Sequence, residues 1–193
     1  MLVAMTSVET LLTADQFASL PEPAEGGKME LVDGKVVCMP PVGEEHGQRA
    51  LDLGSELRRF VRIHGLGIAG VEIGFRLSES PATVLAPDIA FVSNDMLDAG
   101  RDTRRFVDGP PTLAVEIMSP DDREQEVSAK VSRYLTAGAH RVWVVRPTSR
   151  TITVHRPGGD AHTYTIDDTL TSEDAGLSVD GFALPLRVAF GDP

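Results

Sequence analysis

Apolar residues recur along this chain in two rhythms, and each predicts a different kind of element. From about Glu45 to His64, Ala50, Leu53, Leu57, Phe60 and Val61 fall three and four positions apart, the stripe of an amphipathic helix. Gly65 and Gly67 suit its exit. A second helix is predicted from about Asp122 to Ala137, with Asp121 or Ser119 as its cap and Gly138 in the place of a C-terminal cap glycine. Thr13-Ala14-Asp15-Gln16 has the form of a capping box and predicts a short helix that stops before Pro21.

Alternating and continuous apolar runs predict the strands. Glu30-Leu31-Val32 and Lys35 to Met39 flank Asp33-Gly34, a pair that supplies the positive φ angles of a tight hairpin turn. Gly70 to Leu77 is a predicted strand, and Leu85 to Val92 and Thr112 to Met118 are stronger ones, separated by a charged loop holding Arg101, Asp102, Arg104 and Arg105. Arg141 to Val145 has the continuous apolar character of a strand buried on both faces. Thr151 to His155 and Ala161 to Ile166 form a second hairpin through Pro157-Gly158-Gly159, and Leu177 to Phe190 reads as one more short strand and a packed tail. The order implies a mixed α/β sheet in a single domain, residues 13–193, after a tail at 1–12.

Composition narrows the classes. A length of 193 residues supports one domain with a sizeable core. No apolar run is long enough to span a membrane, and Met1 to Thr10 carries no pattern of a secretory signal. Cys38 is the sole cysteine, so no intrachain disulfide forms, a reducing cytoplasm is the expected compartment, and the residue itself reads as a small core side chain. Acids outnumber bases 29 to 18, a net charge of −11, which argues against a protein that simply tracks phosphates. A bound divalent ion can nonetheless invert the field inside a cleft. There is no G-x-S-x-G, no phosphate-cradling G-x-x-x-x-G-K, no H-E-x-x-H and no C-x-x-C.

Two acids stand inside apolar runs. Asp88 lies in Leu85-Ala86-Pro87-Asp88-Ile89-Ala90-Phe91-Val92, and Glu116 in Leu113-Ala114-Val115-Glu116-Ile117-Met118. Strand alternation places Ala86, Asp88 and Ala90 on one face, and Ala114, Glu116 and Met118 likewise, with the bulky residues pointing the other way. Small neighbours leave a hollow beside each carboxylate. An ionised acid there must be paired, solvated at a strand end, or bound to a cation. Two such acids on neighbouring strands favour a hard ion, Mg²⁺ or Mn²⁺. Lys130 falls about 60° to one side of Val127 on the second helix, at the edge of the buried stripe Val127, Val131 and Tyr134. It can either reach the sheet or pair on the surface with Glu126 at i−4. His46, in line with Ala50 and Leu53, either lines the same site or is a core or helix-start histidine.

Pro87-Asp88, Glu116 and a nearby lysine resemble the P-D…(D/E)-x-K metal-dependent nucleases. The wider pattern resembles the Uma-type restriction-endonuclease group: Glu30-Leu31-Val32-Asp33-Gly34-Lys35-Val36-Val37, His46-Gly47, Pro87 to Val92, Pro110 to Pro120, Lys130, Tyr134 and Gly138 to Val145. The likeness runs in order from about Thr13 to Arg156. A strict E-x-K would put lysine at 118, where this chain has Met118. The pattern instead resembles an acid-x-x-x-Lys frame, Glu126 to Lys130, with Glu126 standing where the group usually has Asp. The resemblance implies a restriction endonuclease-like fold, a central mixed sheet flanked by helices with additional antiparallel strands. It implies a Mg²⁺-dependent endonuclease on DNA, acting as a homodimer. Asp88, Glu116 and the backbone carbonyl of Ile117 would hold the metal. Glu30 would add an outer carboxylate or bind a second ion, and Lys130 would position and activate the attacking water. Two alternatives stay open: a catalytically silent binding or regulatory module on the same fold, and a metal-dependent hydrolase of small phosphate esters.

Overall fold

The computed structural model describes residues 11–191; most of the expected tail, residues 1–10, lies outside them. Leu11 and Leu12 are not free. The Leu12 N–H donates to the Gly34 carbonyl at 2.8 Å, and Leu11 packs on Gly34, so these residues close over the first hairpin. Helix α1 (Ala14–Ala18) begins with the expected capping box: Thr13 Oγ1 accepts from the Gln16 N–H, and Gln16 Oε1 accepts from the Thr13 N–H. The hairpin β1 (Lys28–Val32) and β2 (Lys35–Met39) turns at Asp33 and Gly34, with φ of 51° and 78°. Cys38 is exposed on β2 rather than buried, because β2 is the outer strand of its sheet and only one neighbour covers it.

The amphipathic stripe becomes α2 (Glu44–Ile63), with Leu53, Leu57 and Val61 buried. The expected strand from Gly70 to Leu77 divides into β3 (Gly67–Val71) and β4 (Phe75–Glu79). Glu72 takes a left-handed φ of 51° between them, which turns the chain out of line. The expected strand from Leu85 to Val92 also divides, into β5 (Ala82–Leu85) and β6 (Ile89–Ser93). Pro87 has no N–H to give a ladder and breaks the run. After the short β7 (Val107–Asp108) come β8 (Leu113–Ile117), α3 (Glu124–Ala137), β9 (Arg141–Arg146), β10 (Thr151–His155) and β11 (Ala161–Tyr164). The chain closes with β12 (Thr169–Thr171), β13 (Ala183–Pro185) and α4 (Leu186–Ala189), one strand and one helix more than the pattern showed. Neither Ser119 nor Asp121 caps α3. Arg123 is its N-cap without a side-chain bond, and the Ser119 N–H instead donates to Asp122 Oδ2 at 2.7 Å. Gly138 ends α3 in the left-handed region, as expected.

The strands form two principal sheets, ordered β2-β1-β5-β4-β7 and β11-β10-β9-β8-β6-β3, with β12 and β13 paired apart. The divided strands are the crossings: β3 and β6 belong to the six-stranded sheet, β4 and β5 to the other. β8 runs antiparallel to β6 and parallel to β9, the crossover being α3. One face of the six-stranded sheet buries Leu113, Val115, Ile117, Trp143 and Val145 against α2 and the C-terminal segment. The opposite face buries Ala114, Val142 and Val144 against Val127, Val131 and Tyr134 of α3, with Leu85 of the other sheet. The architecture is a mixed α+β fold with mixed sheets flanked by helices.

Candidate functional site

Three carboxylates are buried between the two sheets and α3: Glu30, Asp88 and Glu116. Each is brought there differently. Glu30 sits in β1, where it pairs in register with Val37. Glu116 sits in β8 on the face opposite Val115 and Ile117. Asp88 is not in a strand interior, as the alternation implied, but in the break between β5 and β6 that Pro87 makes. One residue further on, Ile89 pairs with Val115, so Asp88 arrives beside the end of β8.

The hollow expected beside Glu116 is part of a cleft, and both oxygens of the carboxylate already have partners. The Tyr134 O–H donates to Glu116 Oε1 at 2.9 Å, and Lys130 Nζ donates to Oε2 at 3.3 Å. Lys130 and Tyr134 are four apart on α3 and so project from one face of it. The same ammonium lies 3.0 Å from Glu30 Oε2, bridging two acids of different sheets. Lys130 therefore turns inward, away from Glu126, because buried carboxylates cut off from water offer it more than an exposed one does. Glu126 instead lies 3.9 Å from Arg123, at the rim of a cleft of about 350 Å³ between the first hairpin and α3. Glu30, Glu116 and Lys130 form the polar end of that cleft, and Val37, Met39 and Met118 part of its apolar wall.

Asp88 has a separate set of partners. Its Oδ2 accepts the Ile117 N–H at 2.7 Å. Its Oδ1 accepts from Lys28 Nζ at 3.1 Å and lies 3.4 Å from His46 Nε2. Lys28 also donates to the Ala86 carbonyl at 3.0 Å, while the Ala86 N–H donates to Glu30 Oε1 at 3.0 Å. His46 Nδ1 lies 3.3 Å from Ser119 Oγ. The site thus includes His46, and three residues that the sequence reading did not place there: Lys28, Ser119 and Tyr134. Tyr134 carried a legible signal, since a tyrosine in a buried stripe needs a partner for its hydroxyl. Lys28 carried none, because a lysine opening a strand reads as solvated.

These contacts set the charge states. Burial works to raise Asp88, but His46, Lys28 and the Ile117 N–H outweigh it and hold the acid at about 2. Burial pushes Glu116 up to about 7; Lys130 opposes this, while Asp88 and Glu30 add to it. Burial works to lower both lysines. Glu116 and Glu30 outweigh it at Lys130, and Asp88 and Glu116 at Lys28, so both stay above their ordinary values. Burial and the neighbouring acids raise the Tyr134 phenol, which therefore remains a donor.

The donor chemistry fits a hard cation: oxygen acids, buried, on two elements that end side by side. Among the described residues no three His, Cys, Asp or Glu side chains converge as a ready cage. The protein would bring two carboxylates and leave the remaining positions to backbone and water, as Mg²⁺ sites commonly do.

The fold that carries this cluster is a mixed α+β domain, and known proteins share it. The family described as "Uma2: Putative restriction endonuclease" matches residues 14–189, and the chain belongs to that family. Among solved structures, a "putative nuclease belonging to DUF820" from Anabaena variabilis superposes with a TM-score of 0.75 at 20% identity, covering 93% of this chain and 97% of that one. That likeness shows the fold. No curated protein matches the sequence. Among the described residues no helix is long and apolar enough to cross a membrane.

Proposed function

We propose that this protein is a divalent-metal-dependent endonuclease that hydrolyses DNA phosphodiester bonds, and that it acts as a homodimer. The observation that carries the reading is Lys130: an ammonium held between two buried acids, Glu30 and Glu116, which would take the part of the lysine that position 118 lacks. Asp88 and Glu116 would hold Mg²⁺ or Mn²⁺, with the Ile117 carbonyl as a further oxygen. A bound ion of this kind supplies charge neutralisation at the phosphate and acidifies a coordinated water. The protein's own groups do the rest. Tyr134 and Lys130 fix the Glu116 carboxylate from two sides. Lys130 orients the attacking water and offsets the charge gathering on the phosphate. Glu30 holds Lys130 in place and adds an outer carboxylate.

One observation favours a second reading, a silent module that keeps the fold. Asp88, Glu116 and Glu30 already have internal ammonium partners, so the cluster is satisfied without any ligand. Nicking of supercoiled plasmid and short single strands in Mn²⁺ separates the two. The wild type should cut, and Asp88→Asn and Lys130→Ala should not, while Lys130→Ala keeps the Mn²⁺-dependent rise in melting temperature because lysine is no metal ligand. A wild type inert on every nucleic acid tried would leave the silent module. Light scattering tests the dimer; a monomer mass alone would refute it.

A further inference from the structure

Lys28 occupies a position with the chemistry of a cation site. Its ammonium touches two hard oxygen acceptors at once, Asp88 Oδ1 at 3.1 Å and the Ala86 carbonyl at 3.0 Å. The other Asp88 oxygen is committed to the Ile117 N–H at 2.7 Å. An ion that binds Asp88 through Oδ1 must therefore share or claim the oxygen that Lys28 already holds, with His46 Nε2 3.4 Å from the same atom. The lysine side chain is only 17% exposed and reaches the acid from β1, so it is a built contact and not a surface pair.

We propose that Lys28 is the resident cation of the Asp88 site, and that a divalent ion binds there by exchange, displacing the ammonium from Oδ1. The proposal rests on the metal-holding role given to Asp88 above and adds a residue to it. Lys28 neutralises the buried carboxylate while no ion is bound, which removes the repulsion among Asp88, Glu116 and Glu30 that would otherwise oppose folding. The same contact competes with the metal. The exchange weakens metal affinity and stabilises the metal-free protein, two effects of one ammonium.

Titration calorimetry with MnCl₂ on the full chain tests this, comparing wild type, Lys28→Met, Arg133→Met and Asp88→Asn. Met keeps the stem of Lys28 and removes its charge. Arg133 is a cation on the adjoining cleft, paired with Asp33 rather than with Asp88, and controls for the general effect of deleting a positive charge. Exchange predicts that Lys28→Met binds Mn²⁺ about tenfold more tightly, equivalent to ~1.4 kcal/mol, with little gain in Arg133→Met. In the wild type, the Lys28 Nζ resonance, assigned by its loss in Lys28→Met, should move toward that of a free lysine as Mg²⁺ is added. Equal or weaker binding by Lys28→Met, an equal gain in Arg133→Met, or an unmoved Lys28 resonance would each overturn the exchange while leaving the metal site intact. Binding that survives in Asp88→Asn, or none in any variant, would overturn both the exchange and the metal-holding role of Asp88.

Discussion

β8 has two faces, and they are made on opposite terms. Leu113, Val115 and Ile117 look into an apolar layer under α2 and the C-terminal segment, where every contact is a gain from burial. One residue away along the same backbone, Ala114 and Glu116 look toward α3, where a buried carboxylate is held only by Lys130 and Tyr134. The first face supports the fold. The second costs stability and gathers a buried cluster of charged groups. The strand's period of two thus lets one segment carry an apolar layer on one face and a buried charged cluster on the other.

The contrast can be broken most forcefully from the apolar side. Trp143 is fully buried and its indole N–H donates to the Asp174 carbonyl at 2.7 Å. Trp143→Ala should cost about 4 kcal/mol in urea unfolding, from the cavity and the orphaned carbonyl together. On the other face Lys130→Ala should cost about 3 kcal/mol at pH 8, because two buried acids lose their shared cation. The loss should shrink at pH 6, where Glu116 can take up a proton.

Changing Glu116 itself should act in the reverse direction. Its folded pKa lies above the ordinary carboxylate value, so its contribution to stability is complete below the unfolded pKa and is lost as pH rises through about 7. Glu116→Gln should therefore stabilise the metal-free protein at pH 8 by about 1–2 kcal/mol, and thermal melts at pH 5 should show most of that gain gone. The smallest effect belongs to the rim. Arg133 and Asp33 form a two-pronged pair at 2.9 and 2.7 Å, but both are partly solvated. Arg133→Ala should cost about 0.5 kcal/mol in the same urea titration.

Local rules made the first hairpin, α1, α2 and the exit of α3 readable, since Asp33-Gly34, the Thr13–Gln16 box and Gly138 carry their geometry in their own chemistry. Glu116 was readable as well, by alternation alone. Asp88 was found for a reason the structure corrects: it was assigned to a strand face, whereas Pro87 ends that strand and delivers the acid at a crossing. Lys130 could be placed at the edge of a stripe but not given its partners. Glu30 is 100 positions away in sequence, and helical spacing points only to Glu126. Lys28 meets Asp88 across 60 residues and two sheets. No periodicity encodes a contact of that kind, which exists only once the sheets have come together.

The crossing at Pro87 and Asp88 also bears on the order in which the molecule can acquire its chemistry. Glu116, Lys130 and Tyr134 lie within one strand–helix–strand unit and can meet early, at small loop-closure cost. Glu30 and Lys28 belong to a hairpin that must travel in from far along the chain, and Asp88 is placed only when both sheets dock. A partly folded chain would therefore hold only part of the cluster. The same dependence runs backward at equilibrium. A fluctuation that lifts the hairpin would disarm the cluster while leaving the layer under α2 shut, so amides of β1 should exchange with solvent well before those of β8 and β9.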